Sequence, residues 1–397
     1  MIRIEDYRRV ASPGAVDIIL TLAERARGRR FLHLSGGRFG SGPAEILQTL
    51  VPMLSDLGVD AAWDITGGDP GFYATSTTLQ AALRGSERVL TDEALDHFVE
   101  MNRVSAKKLN LDADLVLVHD VPPVTLIEHR PARGRWVWNC PFDASRPQRR
   151  AWTFFRPFVN QYDAAVFALP SFSRRLGVPK YVIHPSIDPL SEKNRELSSR
   201  EIASVLRALA VPQDKPLLVQ IGAFSAAEDP LGVVNAYRMV KKHHDVRLVL
   251  AGTSSGEPDS VQILGELRET THTDPDVLVR ELPPDATLQI NALQRAATIV
   301  LQKSVRESFG LGAAEAMWKG KPVIAGFVGG LPQQIVYDVT GYLVSSVEGA
   351  AFRLRHLLNA PELIARMGAA GREHVRRSFL ITRQLIDYMA LLIHLTP

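Results

Sequence analysis

The sequence is almost without cysteine. A single residue, Cys140, stands among 397, which excludes an intrachain disulfide and a Cys-rich metal site. Net charge is nearly absent as well. Lys+Arg 46 against Asp+Glu 43 leaves +3, so the pI of about 9.0 describes only a weak field. There is no basic arm or Lys/Arg block, and nucleic acid is not an expected partner. No uninterrupted apolar run is long enough to span a bilayer, so no membrane partner is expected either. The opening MIRIEDYRRV is charged and lacks an apolar leader core, which predicts a cytoplasmic, soluble chain. No G-x-S-x-G, Ser/His/Asp arrangement, dinucleotide fingerprint or P-loop is found.

What is present is an ordinary globular composition, 46% hydrophobic and 22% charged, in a length that suggests two domains. Short β-rich runs alternate with helical patterns. Candidate strands are Arg30–Leu34, Ala61–Thr66, Asp114–His119, Arg135–Asn139, Ala164–Leu169 and Tyr181–His184. A second set is Pro216–Gly222, Val246–Gly252, Val277–Glu281, Thr298–Gln302 and Pro322–Ala325. Several are near-continuous Val/Ile/Leu runs, as in strands buried on both faces. Between them lie helices such as Ala44–Leu57, with Ile46, Leu47, Leu50, Val51 and Leu54 on one face. The βαβα order predicts an α/β protein with parallel, doubly wound sheets.

The pattern restarts after the polar stretch SIDPLSEKNRELSSR. This predicts two Rossmann-like domains, 1–190 and 205–379, facing across a cleft. The apolar C-terminal helix, about 380–397, would pack back on the first. Ligands in such sheets bind beyond the carboxyl ends of the strands, so the loops there are the candidates for chemistry.

The loop Ser35-Gly36-Gly37-Arg38-Phe39-Gly40-Ser41-Gly42 joins a strand to a helix. Its glycines would let backbone approach an anion at the helix N-terminus, or would simply make a tight turn. His119-Asp120 ends a strand on the same side and would serve either sugar hydroxyls or a cap. Glu307 and Glu315 sit eight residues apart in ESFGLGAAE, one in a loop and one two turns into the next helix. Gly310 and Gly312 leave room for a ligand there, and vicinal hydroxyls are good partners for such carboxylates. Gly329-Gly330 offers further backbone N–H groups. Metal signals are poor: Asp112-Ala113-Asp114 and Asp274-Pro275-Asp276 precede their strands, at the wrong end of the sheet, and His243-His244 ends a helix.

Several stretches resemble one family. GPAEILQTLVPMLSDLGVD, SIDPLSEKN, DPLGVVNAYRMVKK, QKSVRESFGLGAAEAMWKGKPV, VGGLPQQIV, TGYLV and GREHVRRSFLITRQL resemble the trehalose glycosyltransferring synthases, which are retaining glycosyltransferases of the two-Rossmann-domain (GT-B) type. The likeness runs from about Phe31 to the C-terminus. It implies transfer of glucose from a nucleotide-diphosphate glucose to C1 of free glucose, with retained configuration, no metal and no cofactor. By position, Glu307 would hold the donor sugar and Glu315 the ribose. Phe309, Gly310 and Leu311 would meet sugar and phosphate through their backbone. Gly40, Ser41 and Gly42 would approach the diphosphate, and His119, Asp120 and Asp143 would sit by the acceptor. The family and the apolar C-terminal helix also suggest a homodimer.

The departures from the family pattern are specific. An Arg and, five residues later, a Lys bind the leaving diphosphate in the family; here Ala223 and Glu228 take their places. One such contact is worth roughly 3 kcal/mol, and losing both with a sign reversal could exceed ~10⁴-fold in rate. The family's Cys-His-x-Asp reads Cys140-Pro141-Phe142-Asp143, and the Gly before Phe309 is Ser308. Arg38, Lys303 and Arg306 are the cations that could compensate. Two readings follow: an active glucosyltransferase, or a degenerate GT-B protein that binds a sugar, nucleotide or protein partner without transfer.

Overall fold

The computed structural model describes residues 2–38, 42–254 and 258–397. It divides into two compact units, the first made of 1–186 with 381–397 and the second of 187–380.

The first unit is built on β1 (Arg30–Ser35), β2 (Asp60–Ile65), β3 (Leu115–His119), β4 (Arg135–Cys140), β5 (Ala164–Phe167) and β6 (Lys180–Val182). They form one sheet in the order β2-β1-β3-β4-β5-β6, and every pairing is parallel. β3, LVLVH, is buried along its whole length, as a strand covered by helices on both faces must be. The helix Gly42–Asp56 follows β1 and buries Leu47, Leu50 and Leu54. The helix Ile381–Leu395 buries Leu385, Tyr388, Met389 and Leu392 in this same unit and packs on the helix Ala15–Ala26.

The second unit repeats the architecture with β7 (Leu217–Ile221), β8 (Arg247–Gly252), β9 (Val277–Glu281), β10 (Ile299–Gln302), β11 (Val323–Gly326) and β12 (Gly341–Val344). Their order is β12-β11-β10-β7-β8-β9, again all parallel. The sequence reading lacked β12, a four-residue strand. Most of the polar stretch SIDPLSEKNRELSSR, after which the strand pattern restarts, belongs to the second unit, which begins at Ile187 and carries the helix Ser199–Ala208. The polarity of Ser198-x-x-Glu201 is a capping box: Glu201 N–H donates to Ser198 Oγ at 3.2 Å, and Ser198 N–H donates to Glu201 Oε2 at 2.8 Å.

Each sheet has one place where the strand order reverses. In the first unit it lies between β1 and β3, and in the second between β7 and β10. Loops leaving the carboxyl ends of those strands diverge to opposite faces and leave a crevice. These two places hold most of the residues singled out above.

Candidate active site

In the first unit the loops after β1 and β3 are in contact. A Cβ on Gly36 would lie 2.5 Å from Pro122, so this glycine is required by the close approach of the neighbouring loop. Arg38 is exposed and stacks on Trp63, its guanidinium carbon 5.3 Å from the ring centre. Gly40 and Ser41 lie outside the described residues, as does the side-chain environment of Gly42 at the helix start.

His119 points into the sheet rather than into the open and is 1% exposed. Asn139 Nδ2 donates to its Nδ1 at 2.9 Å, so its proton is on Nε2, which faces His33 Nδ1 at 3.0 Å. The proton of neutral His33 is then on its Nε2, which has no hydrogen-bond partner among the described residues. Burial pushes His119 down to about 3 and His33 well below its ordinary value, the latter helped by His119. Both rings are neutral at physiological pH. His119 therefore holds its neighbours in place, and the adjoining Asp120 is only partly buried.

Asp120 has a left-handed backbone, φ 68°. Gln80 Nε2 donates to both its carboxylate oxygens at 2.8 and 2.7 Å, and Val121 N–H to Oδ1 at 2.7 Å. Burial raises its pKa against those bonds and the pull of Arg84. Asp143 is exposed and accepts from Ser145 N–H at 2.9 Å in a local turn. Cys140 beside it is buried, and burial holds its thiol protonated.

In the second unit β7, β10 and β11 are adjacent, and their three following loops lock together. Val305 N–H donates to Ala227 O at 2.8 Å, and Gly330 N–H to Ser308 O at 2.8 Å. Gly329, φ 55°, lies so close to the loop after β10 that a Cβ would sit 2.2 Å from Glu307 O. The Gly329-Gly330 pair is thus explained by packing of loop on loop, and Gly330 abuts Phe309 in the same way. Phe309 is buried, and its carbonyl accepts from Gln334 Nε2. Gly310, φ 81°, caps the helix Leu311–Trp318.

Glu307 lies at the mouth of this crevice, partly exposed. Its Oε1 accepts from Ser308 N–H at 2.8 Å, while Oε2 meets Gln302 Nε2 at 3.3 Å and Ser304 Oγ at 3.5 Å. Glu228 faces the same two donors. Its Oε2 lies 3.3 Å from Gln302 Nε2 and 3.1 Å from Ser304 Oγ. Burial, then the charge of Glu307, pushes the Glu228 carboxyl up to about 7, against the Ser304 bond.

The expected cations are differently engaged. Lys303 is 6% exposed and ion-paired with Asp229, which also caps the helix Pro230–Lys241 through Gly232 N–H. Arg306 is exposed at the turn, and Ala223 is exposed. Glu315 is 4% exposed, with Lys193 Nζ 2.8 Å from its Oε1. Lys193 comes from SIDPLSEKN. Beside it Lys319 is held by Asn194 Oδ1 at 2.8 Å and Gln294 Oε1 at 2.6 Å, and burial pushes its amine down to about 7.

Lys193, Asp229, Gln302 and Ser304 were not singled out from sequence. Glu228 was noted only as a departure, because its closeness to Glu307 depends on β7 and β10 being neighbours. The paired aspartates at the amino ends of strands prove structural. Asp114 accepts from Arg30 N–H at 2.7 Å, and Asp276 pairs with Lys215, Lys241 and Arg247. Among the described residues no three carboxylate, imidazole or thiol groups converge as a metal site would need.

Known proteins resemble this chain over nearly its whole length. Residues 33–174 match the family model described as trehalose synthase, N-terminal domain, and 203–374 match glycosyl transferases group 1. A trehalose synthase of Pyrococcus horikoshii is 39% identical over 397 residues, covering 98% of this chain and 96% of that protein. One from Rubrobacter xylanophilus is 36% identical over 399 residues, with the same coverage. The E. coli structure described as trehalose-6-phosphate bound with UDP-2-fluoro glucose superimposes with a TM-score of 0.73 at 12% identity, covering 92% of this chain and 99% of that one. A full-length likeness of this strength, on two sheets of the GT-B type, makes the chain a member of the trehalose synthase family of sugar-transferring, hexosyltransferase-type enzymes.

Proposed function

We propose that the protein is a retaining glucosyltransferase that takes glucose from a nucleotide-diphosphate glucose and joins it to glucose or a related sugar. The observation that carries this reading is the Glu307 carboxylate, standing in the β10 loop at the second sheet's reversal point beside the N-terminus of the helix Leu311–Trp318. A carboxylate there can bind the hydroxyls of a hexose, and the helix N-terminus favours the adjoining anion. Glu315 offers the ribose an oxygen not used by Lys193. The acceptor hydroxyl attacks C1 on the face the nucleotide leaves. The C1–O bond to the diphosphate breaks, and the hydroxyl's proton passes to the departing phosphate oxygen. No protein base and no metal is required by this route.

A second reading has its own support. The loop 222–228 has no cationic side chain, and Glu228 adds a carboxyl where the diphosphate would lie. A GT-B protein that binds without transfer would fit that loop equally well. Proton NMR of the protein with UDP-, ADP- or GDP-glucose and glucose decides between them. The transferase gives the α,α-linked anomeric signal, and Glu307→Ala abolishes it. Turnover that survives Glu307→Ala places the site elsewhere; no product, with nucleotide binding intact, favours the second reading.

A further inference from the structure

The net charge of +3 is distributed very unevenly. From Arg146 to Lys180 there are seven basic side chains and one acidic one, Asp163, so the rest of the chain is net negative. The fold gathers part of this segment at the β5–β6 edge of the first sheet, away from the crevice between β1 and β3. The helix Arg149–Val159 runs there and ends on its cap, Asn160. Trp152, Arg156 and Asn160 recur every four residues and share one stripe. Against that stripe lies the loop leading into β6, with Arg174, Arg175 and Gly177. Helix and loop enclose a groove of about 440 Å³, within the size range of small-molecule sites.

The side chains lining this groove are nearly all hydrogen-bond donors. Arg156, Arg174 and Arg175 carry N–H groups only, the indole of Trp152 is a donor, and Leu176 is apolar. The one side-chain acceptor, Asn160 Oδ1, already accepts from Gly177 N–H at 3.3 Å. No carboxylate answers the three arginines, and none of them has a hydrogen-bond or ion-pair partner among the described residues. The acidic groups of this region are committed elsewhere: Asp163 to Arg130 and Arg135, and Asp92 to Arg150. Arg156 sits in the last turn of its helix and answers the carbonyl end there. Arg174 and Arg175 belong to a loop and have no such duty. Arg174 lies over the Trp152 ring, its guanidinium carbon 5.7 Å from the centre, which holds that charge at the groove.

We propose that this groove is a binding site for a small phosphate, free or as the ester group of an organic molecule. A phosphate presents several acceptor oxygens and a charge of about −1.5 to −2 at neutral pH. That is the complement of a lining made of guanidinium forks and N–H groups without a counter-charge. A carboxylate, with two oxygens and one charge, would leave part of the lining unanswered. The phosphate is held and not cleaved, and the site lies within the first unit, so it stands apart from the transferase reading.

Hydrogen–deuterium exchange of the whole protein at low ionic strength tests this, with inorganic phosphate, glucose 6-phosphate or glucose as the probe. Both phosphates should slow exchange across residues 173–178, half-maximally below ~1 mM, and glucose should not. Equal affinities identify a site for the free anion; a tighter glucose 6-phosphate identifies an ester whose organic part also fills the groove. Raising the salt should weaken the effect of either. In the double variant Arg174→Gln/Arg175→Gln, which alters only exposed loop side chains, affinity should fall ~100-fold, about tenfold for each guanidinium lost. Unchanged protection in that variant, protection by glucose alone, or none by either phosphate at ~10 mM overturns the proposal. Protection by RNA or by anionic phospholipid vesicles, with neither phosphate effective, also overturns it and makes the segment a surface for extended polyanions instead.

Discussion

The ion pair between Lys193 and Glu315 offers the sharpest test of how the second unit is held together. Glu315 is buried on the helix Leu311–Trp318, and Lys193 reaches it from the segment before the helix Ser199–Ala208. Lys193→Met removes the ion-pair partner of a carboxylate that is 4% exposed. Breaking a fully buried pair costs about 3–5 kcal/mol, because the orphaned charge stays behind. Two features lower that figure here. Lys193 is itself 19% exposed, and Lys319, whose amine burial pushes down to about 7, can take up a proton and answer the charge of Glu315. We therefore expect about 2–3 kcal/mol at pH 7. Urea unfolding followed by far-ultraviolet circular dichroism measures it, with unchanged m-values required for the comparison. Glu315→Gln and the double variant complete a cycle whose coupling energy isolates the pair. A loss below ~0.5 kcal/mol, or singles that simply add, would refute the reasoning.

Two further outcomes follow from packing. Gly252→Ala puts a Cβ 1.6 Å from Gly222 O, so β7 and β8 must separate, and a loss of about 3 kcal/mol is expected. Gly265→Ala, in the helix Pro258–Thr271 with open space around it, should raise stability by ~0.5–1 kcal/mol; thermal melts that fail to separate these two variants by sign would contradict both. Cys140 is buried with its thiol held protonated, so a colorimetric thiol reagent should find no reactive group in the native protein and one equivalent after denaturation.

The strands were legible where they were fully buried. β3 reads LVLVH and β8 RLVLAG, apolar runs that only a sheet covered on both faces explains. β12, GYLV, is four residues long and begins on a glycine. That glycine is there because a Cβ would strike Val323 O at 2.2 Å, a reason visible only once β11 is its neighbour. The loops at the strand ends were legible for the same reason as the strands: their position follows from alternation alone. Their partners were not. His33 meets His119, and Glu228 meets Glu307, because β1 pairs β3 and β7 pairs β10, and strand order is a global property that local pattern does not carry. SIDPLSEKN marked the family, but that its lysine holds Glu315 could be read only from the folded chain.

The chain leaves the first unit after Ser186 and rejoins it at Ile381. On the way out and back it runs through a paired crossing, where Ile187 N–H donates to Phe379 O at 2.8 Å and Ile187 bridges Leu380. On the ribosome this reverses the usual order of assembly. The second unit is one unbroken stretch and has everything it needs once Leu380 emerges. The first must wait, with the apolar surface of the helix Ala15–Ala26 uncovered, until the helix Ile381–Leu395 arrives to close it.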